Sequence, residues 1–215
     1  MDKSGKYIPA LRYDWLTPLY DPLLQWIMRE EKFKRRLIAQ ADIQPGHRVL
    51  DLGCGTATLT ILIKQVQPDS EVVGVDADMK VLDMGRAKAS KAGVDITLDH
   101  GLAFQLPYPD QSFDRVLSSL VLHHLTTENK QRTAREILRV LRTGGELHVV
   151  DFGKPHTAWG RLVSPLIHRL EEAADNVTGR LPEILREAGF DQVEETGWHS
   201  TIFGSLSFYR SRKPG

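Results

Sequence analysis

The sequence of 215 residues has a single cysteine, Cys54. An intramolecular disulfide is therefore impossible, and zinc sites built from two or four thiolates are excluded. A chain with no disulfide suits a reducing compartment, so we expect a cytoplasmic protein.

Long apolar segments and an excess of charge are also missing. No run approaches the roughly 20 apolar residues of a membrane helix, and the first thirty residues carry charges and prolines in place of the apolar core of a secretory signal. The 28 basic and 28 acidic side chains cancel, which removes the field that draws a whole protein onto nucleic acid or anionic lipid. We expect no nucleic-acid partner and no stable membrane insertion, while the oligomeric state stays open.

Short runs rich in valine and leucine alternate with helical patterns along the chain. Each run is followed by Gly, Asp or His, and this alternation predicts parallel strands joined by crossover helices. The four runs are residues 49–52, 71–75, 115–119 and 146–150. Residues 133–141 predict a helix that stops at Gly144 and Gly145. Two further runs, 192–196 and 205–212, predict a final pair of strands.

The chain length predicts one domain with an appended lid. Residues 1–40 contain an amphipathic pattern and are predicted to form an N-terminal helical lid, although a helix that only covers the edge of the sheet is the alternative. Residues 41–215 are predicted to be the main domain, with a helical insertion at about 154–180. A short helix should then begin at Leu181, with Pro182 in its first turn, and stop at Gly189.

A glycine turn follows the first predicted strand. Gly53 and Gly55 let a ligand approach the backbone closely, beside the N-terminus of the next helix. Asp76 ends the second strand and lies 21 residues after Gly55. At this spacing, the second strand presents a carboxylate to ribose hydroxyls. The two features together predict a nucleoside site.

Two details of this turn disfavour a dinucleotide. Thr58 stands where the dinucleotide fingerprint has its third glycine, and Asp51 would repel a pyrophosphate. The same carboxylate would favour an ammonium or a sulfonium, and S-adenosylmethionine carries both. In the alternative, Asp51 only holds the turn and Asp76 only caps a helix.

Four motifs between residues 45 and 152 carry a family resemblance. They are VLDLGCGT, VVGVDAD, LPYPDQSFDRVLSSLVLHHL and EILRVLRTGGELHVVD. The chain resembles class I S-adenosylmethionine-dependent methyltransferases, within them the ubiquinone/menaquinone C-methyltransferase group. The resemblance implies a Rossmann-like α/β fold with helices on both faces of a mostly parallel seven-stranded sheet whose last strand is antiparallel.

The resemblance also implies a cofactor, S-adenosyl-L-methionine, and positions that hold it. Asp51 and Gly53 would face its methionine moiety, and Asp76 its ribose. Leu102 replaces an Asp or Asn that often accepts from the adenine amino group. Tyr13 and Tyr20 could close over the sulfonium, since aromatic faces attract cations, or could simply be packing residues. The other expected cofactor-binding residues are Cys54, Gly55, Thr56, Ala77, Met79, Gly101, Ala103 and Ser118.

The candidate catalytic residues lie on the same rim. Methyl transfer is an in-line displacement, so the protein aligns the reactants, excludes water and, for a weakly acidic acceptor, removes a proton. His123 and His124 follow the third run, and Asp151 ends the fourth. These side chains could instead bond the backbone of the neighbouring loops. No metal is expected.

Aromatic and apolar residues in the two variable segments predict the acceptor. The lid and the insertion contain Trp15, Trp26 and Trp159, so we expect a small, partly hydrophobic acceptor, without a choice among carbon, oxygen and nitrogen. A methyltransferase acting on RNA or protein and a non-catalytic nucleoside-binding module are the alternatives.

Overall fold

The described part of the chain has seven strands, and helices lie between most of them. A computed structural model describes residues 30–162, 174–202 and 204–215. The strands are β1 (Arg48–Leu52), β2 (Glu71–Asp76), β3 (Thr97–His100), β4 (Phe113–Ser119), β5 (Leu141–Phe152), β6 (Asp191–Thr201) and β7 (Gly204–Arg212). The helices are α1 (Glu30–Ala41), α2 (Thr58–Val66), α3 (Met79–Ala92), α4 (Thr127–Val140), α5 (Ala174–Thr178) and α6 (Leu181–Glu187), with a 3₁₀ turn at Leu122–His124.

The strands form one sheet in the order β3-β2-β1-β4-β5-β7-β6. Neighbours from β3 to β5 are parallel, whereas β7 is antiparallel to both β5 and β6. The predicted seven-stranded sheet with an antiparallel last strand is confirmed. The chain moves outward from β1 to β3 and then returns to β4, so a crevice opens where the strand order reverses, at the carboxyl ends of β1 and β4.

Helices cover both faces of the sheet. On one face, α1 and α2 bury an apolar stripe against the middle strands, with a core of Phe33, Leu37, Ile38, Leu59, Ile63, Val49, Leu117 and Val150. On the other face, α4 and α6 pack on a second core of Ile137, Val140, Leu181, Leu185, Leu50, Val116 and Leu147. Strands buried on both faces have nearly continuous apolar runs, which is why the sequence pattern revealed them.

The predicted boundary between α4 and β5 was wrong. The helix ends at Val140, and Leu141 is already extended, with φ −68° and ψ 140°. Leu141 pairs with Phe113 of β4, and both side chains are fully buried. Strand pairing therefore ended the helix before the two glycines. The sequence runs also missed β3, whose four residues include one buried side chain, Leu98.

The described part of the predicted lid lies against the sheet. Helix α1 packs on β4 and β5, and Gln40 near its end donates a 3.0 Å hydrogen bond to the carbonyl of Tyr209 in β7. Residues 1–29 lie outside the described residues, as do 163–173 of the predicted insertion. In the described ranges, no helix has the length and apolar character needed to cross a bilayer.

Candidate active site

The glycine loop between β1 and α2 forms the floor of the crevice. Gly53 and Gly55 have positive φ angles of 67° and 53°. The amides of Gly53 and Cys54 both donate to the carbonyl of Val75, at 2.8 and 3.0 Å. A Cβ on Gly53 would lie 2.5 Å from Cγ2 of Val121. Only glycine therefore fits where the loop meets both β2 and the segment after β4.

Asp76 links this loop to helix α3. One carboxylate oxygen accepts from the amide of Gly55 at 2.9 Å, and the other accepts from the amide of Asp78 at 3.0 Å. Asp78 itself caps α3 by accepting from the amide of Lys80. The Asp76 side chain is half-buried at the end of β2, and each carboxylate oxygen has further acceptor capacity. This geometry suits two neighbouring hydroxyl groups of a ribose.

Asp51 lies beneath the loop. It is 1% exposed and accepts a 2.6 Å hydrogen bond from the hydroxyl of Thr60 in α2. Burial raises the pKa of Asp51 to about 6, against the opposing effects of the Thr60 bond and the charge of Lys34. In this structure its carboxylate connects β1 to α2, and its assignment to the methionine moiety stays a prediction.

Cys54 has no thiolate chemistry in this environment. Its side chain is buried, and burial raises the pKa of the thiol far above its usual range. A Cβ built on Gly74 would lie 2.9 Å from Sγ of Cys54, so the sulfur fills the space beside β2. Cys54 therefore contributes a backbone amide and packing.

The rim beyond β2 and β3 is built mainly from backbone and apolar groups. The amide of Gly101 donates to the carbonyl of Asp76 at 3.0 Å, and the carbonyl of Leu102 accepts from Gln105. Ala103 packs against the core, and Met79 is 49% exposed at the start of α3. A flat apolar ring could lie here against carbon atoms, while its polar edge would meet backbone.

A histidine and an aspartate meet on the opposite side of the crevice. Asp151 at the end of β5 is buried and accepts from the amides of Leu122 and Phe152 at 2.8 and 2.7 Å. It also accepts from the amide of His123 at 3.3 Å and lies 2.7 Å from Nδ1 of the same residue. Burial would raise the pKa of Asp151, but the charge and hydrogen bond of His123 and the backbone bond lower it overall. Since an ionised carboxylate only accepts, Nδ1 carries the proton, and the lone pair of a neutral His123 ring is on Nε2.

Aromatic rings hold His123 in place. Its ring centroid lies 4.0 Å from that of His124 and 4.9 Å from that of Phe152, which meets it edge to face. The loop-bonding alternative for Asp151 occurs, because its carboxylate accepts from the amides of Leu122 and Phe152, and the catalytic role of these residues stays a prediction. The structure thus gives His123 a fixed tautomer and a fixed ring orientation.

Ser118 and Ser119 end β4 where the strand order reverses. The hydroxyl oxygens of both side chains are buried, and neither has a hydrogen-bond partner among the residues that the structure describes. Buried polar groups are normally satisfied, and Ser118 is also one of the predicted cofactor positions, so its hydroxyl is a candidate contact for a ligand.

Comparisons with known proteins agree with this geometry. A family described as a methyltransferase domain matches residues 49–145. The chain is 30% identical over 243 residues to a demethylmenaquinone methyltransferase of Symbiobacterium thermophilum, covering 99% of this chain and 94% of the relative. An enzyme of the same name from Listeria monocytogenes is 30% identical over 221 residues, covering 89% and 92%.

The chain belongs to the class I S-adenosylmethionine-dependent methyltransferases. Solved structures share its fold. A methyltransferase from Methanosarcina mazei has a TM-score of 0.67 and 20% identity, with 82% of this chain and 97% of that chain covered. A phosphoethanolamine N-methyltransferase from Haemonchus contortus, solved in complex with S-adenosyl-L-methionine, has a TM-score of 0.68 and 15% identity, with 86% and 53% covered.

S-adenosyl-L-methionine is the cofactor of this methyltransferase. The fit rests on the positive-φ glycines, the carboxylate of Asp76 and the unpartnered hydroxyl of Ser118. Most of the predicted cofactor positions lie at or just after the carboxyl ends of the strands. They are Gly53, Cys54, Gly55, Thr56, Asp76, Ala77, Met79, Gly101, Leu102, Ala103 and Ser118. His123, His124 and Asp151 occupy the neighbouring part of the same edge. Tyr13 and Tyr20 lie outside the described residues.

Three polar residues near this edge were not predicted. Asp99 at the end of β3 accepts from the hydroxyl of Tyr108 at 3.0 Å. Ser119 and Asn176 carry buried polar atoms without a hydrogen-bond partner in the described ranges. Of these three residues, only Asp99 could have been found from the sequence, because it is an acidic residue that follows an apolar one in VDITLDHG. In the described ranges, no group of three or more His, Cys, Asp or Glu side chains could hold a metal ion.

Proposed function

We propose that this methyltransferase transfers a methyl group to a ring carbon of a reduced demethylmenaquinone-like naphthoquinol. The buried contact between Asp151 and His123 is the observation that carries the proposal. The names of the relatives in Symbiobacterium and Listeria support the acceptor class. A hydroquinol hydroxyl is weakly acidic, so its ring carbon becomes a good nucleophile once a base removes the proton.

The glycine loop and Asp76 would hold the cofactor. When bound, S-adenosylmethionine supplies an electrophilic methyl group on a sulfonium. Asp76 would fix its position through the ribose, and the amides of Gly53 and Cys54, which donate to the carbonyl of Val75 in β2, keep the loop rigid. An in-line displacement gains most from such alignment, because the reacting atoms must approach along one axis.

His123 would act as the general base. Asp151 keeps the proton on Nδ1, so Nε2 receives the proton of the ring hydroxyl. The electron pair of that O–H bond then raises the nucleophilicity of the neighbouring ring carbon. The ring carbon takes the methyl group as the sulfur–methyl bond breaks, and the electron pair of that bond stays on the sulfur. This carbon then loses its hydrogen as a proton to solvent, which restores the aromatic ring, and His123 returns its proton to the ring oxygen.

Apolar side chains of the predicted insertion support a partly hydrophobic acceptor. Trp159 is 52% exposed and Leu162 is 71% exposed. The indole nitrogen of Trp159 donates to the carbonyl of Ile202 at 3.0 Å, which fixes the ring beside the β6–β7 hairpin. Exposed apolar surface of this kind suits an isoprenoid chain attached to the ring.

Methyl transfer to defined acceptors tests the proposal. The full chain would be incubated with S-adenosylmethionine and, under reducing conditions, with 2-prenyl-1,4-naphthalenediol, simple phenols, amines or phosphatidylethanolamine. We expect a carbon-methylated product from the naphthalenediol and none when the ring is kept oxidised. Methyl transfer to an amine, a lipid headgroup, RNA or protein in its place would refute the proposed acceptor. Cofactor binding without any transfer would favour a nucleoside-binding module.

A further inference from the structure

Helix α5 is anchored by one aspartate. Asp175 accepts from the hydroxyl of Thr127 at 2.6 Å and lies 3.3 Å from Nζ of Lys130, both in α4. The guanidinium of Arg180 donates to its other oxygen at 3.0 Å. Lys130 is 1% exposed and Asp175 is 6% exposed. Because these charges are buried and paired, the anchor fixes where the next residue of the helix lies.

The anchored helix lies beside the proposed base. Helix α5 packs against the 3₁₀ turn that carries His123 and against β5, which leads to Asp151. The residue after α5, Gly179, contacts the segment that follows β5, since a Cβ there would lie 2.2 Å from Cε of Lys154. Helix α5 therefore lines the carboxyl edge of the sheet on the side of the crevice where the acceptor would bind.

Asn176 follows Asp175 in helix α5, and its side-chain amide makes no hydrogen bond within the described residues. The side chain has no exposed surface, and neither Nδ2 nor Oδ1 has a hydrogen-bond partner within the described residues. A carboxamide has two donors and an acceptor. Burying such a group with no partner is costly, so an unsatisfied amide in a well-anchored helix needs a specific explanation.

We infer that Asn176 binds the ring oxygen of the acceptor that is remote from the reacting carbon. The inference rests on the proposed function, in which His123 takes the proton of the hydroxyl beside that carbon. A carboxamide suits the second oxygen, because it accepts from a hydroxyl and donates to a hydroxyl or carbonyl oxygen. Asn176 is thus a positioning and specificity residue, and it selects rings with two para oxygens over rings with one.

A pair of acceptors that differ by one oxygen tests this role. The first is 2-prenyl-1,4-naphthalenediol, and the second, 3-prenyl-1-naphthol, retains only the hydroxyl beside the reacting carbon. We expect the wild-type enzyme to favour the diol by about tenfold or more in kcat/KM, the discrimination typical of a buried hydrogen bond. Asn176→Leu should abolish this preference by lowering kcat/KM for the diol alone, with the Kd for S-adenosylmethionine and the Tm retained.

Control variants separate this role from a structural one. Thr178→Ala changes an exposed residue of the same helix and should keep the preference for the diol. If Asn176→Leu fails to fold, Asn176→Ala removes the whole carboxamide without adding volume and should also lose the preference. A variant at position 176 that folds and still prefers the diol as the wild type does would overturn the inference and leave the proposed function standing.

A binding measurement makes the inference independent of turnover. In ¹⁵N-labelled protein, the side-chain amide signals of Asn176, assigned as those lost in Asn176→Leu, should shift when 2-prenyl-1,4-naphthoquinone is added with S-adenosylhomocysteine. Unchanged signals would overturn the inference. If the wild-type enzyme methylates neither ring, the proposed function is wrong, and the amide signals alone then decide whether Asn176 binds the ring.

Discussion

The carboxylate of Asp151 lies 2.7 Å from Nδ1 of His123, although 28 residues separate them in the chain. Parallel pairing of β4 with β5 brings them together, because the turn after β4 and the end of β5 then share one edge of the sheet. The same carboxylate accepts from backbone amides of that turn. Asp151 thus shapes the turn and orients the histidine.

Asp151→Asn tests the orientation of His123. We expect kcat to fall about 100-fold or more, the scale of a lost general base, with the Kd for S-adenosylmethionine unchanged. An asparagine can present its amide hydrogens to Nδ1 and select the wrong tautomer. Steady-state kinetics and calorimetry measure the two quantities. Asp114→Asn, at the opposite end of β4 where Asp114 accepts from the amide of Arg48, should keep the wild-type kcat. Wild-type turnover in Asp151→Asn would exclude His123 and Asp151 as a catalytic pair.

Asp76→Ala tests the ribose site. We expect binding of S-adenosylmethionine to weaken by about 1 to 3 kcal/mol, because ribose hydroxyls lose a charged acceptor. The amides of Gly55 and Asp78 lose theirs as well. Calorimetry gives the affinity. Asp83→Ala removes an exposed carboxylate of α3 that pairs with Arg86 and should bind like wild type. Equal affinity in Asp76→Ala would rule out the ribose assignment.

Asp51→Asn tests the buried carboxylate. The folded pKa of Asp51, about 6, lies above the unfolded value of about 4, so the folded state binds more protons between these values. Its stabilising contribution is complete below about pH 4 and is lost as the pH rises through about 6. We expect the variant to lack this slope and to gain about 1 to 3 kcal/mol of unfolding free energy at pH 7.

Chemical denaturation of both proteins at pH 4, 5, 6 and 7 measures this difference. Parallel stability curves would show that Asp51 does not titrate in this range. Cofactor affinity is measured on the same samples. We expect weaker binding of S-adenosylmethionine in Asp51→Asn, because the negative charge beneath the loop is lost. Unchanged affinity would mean that Asp51 only connects β1 to α2 through Thr60.

Deletion of residues 1–20 tests the predicted lid. The sheet and α1 begin after this segment, so we expect the truncated protein to keep its Tm. Turnover with the identified acceptor should fall, because a closed site loses alignment and water exclusion when its cover is removed. Circular dichroism and steady-state kinetics measure the two quantities. Full turnover in the truncated enzyme would show that the segment does not cover the site.

Periodicity revealed the elements whose burial is continuous. Strands such as β1 and β2 are buried along most of their length, and glycines or acidic residues mark their ends. It failed at β3, which buries one side chain, and at Leu141, where pairing with Phe113 outweighed the helical pattern. A local sequence pattern reflects local burial. Strand β3 and the start of β5 at Leu141 depend instead on pairing with a neighbouring strand.

The sequence by itself determined the class of fold and the cofactor loop, because glycine turns and strand-end carboxylates act within one strand, turn and helix unit. Only the tertiary structure decided what the polar side chains contact. It turned Asp51 toward Thr60, joined Asp151 to His123 and left the amide of Asn176 buried without a partner in the described chain. Such contacts join segments far apart in sequence, and hydrogen bonding depends on distances of a few ångströms that only packing sets.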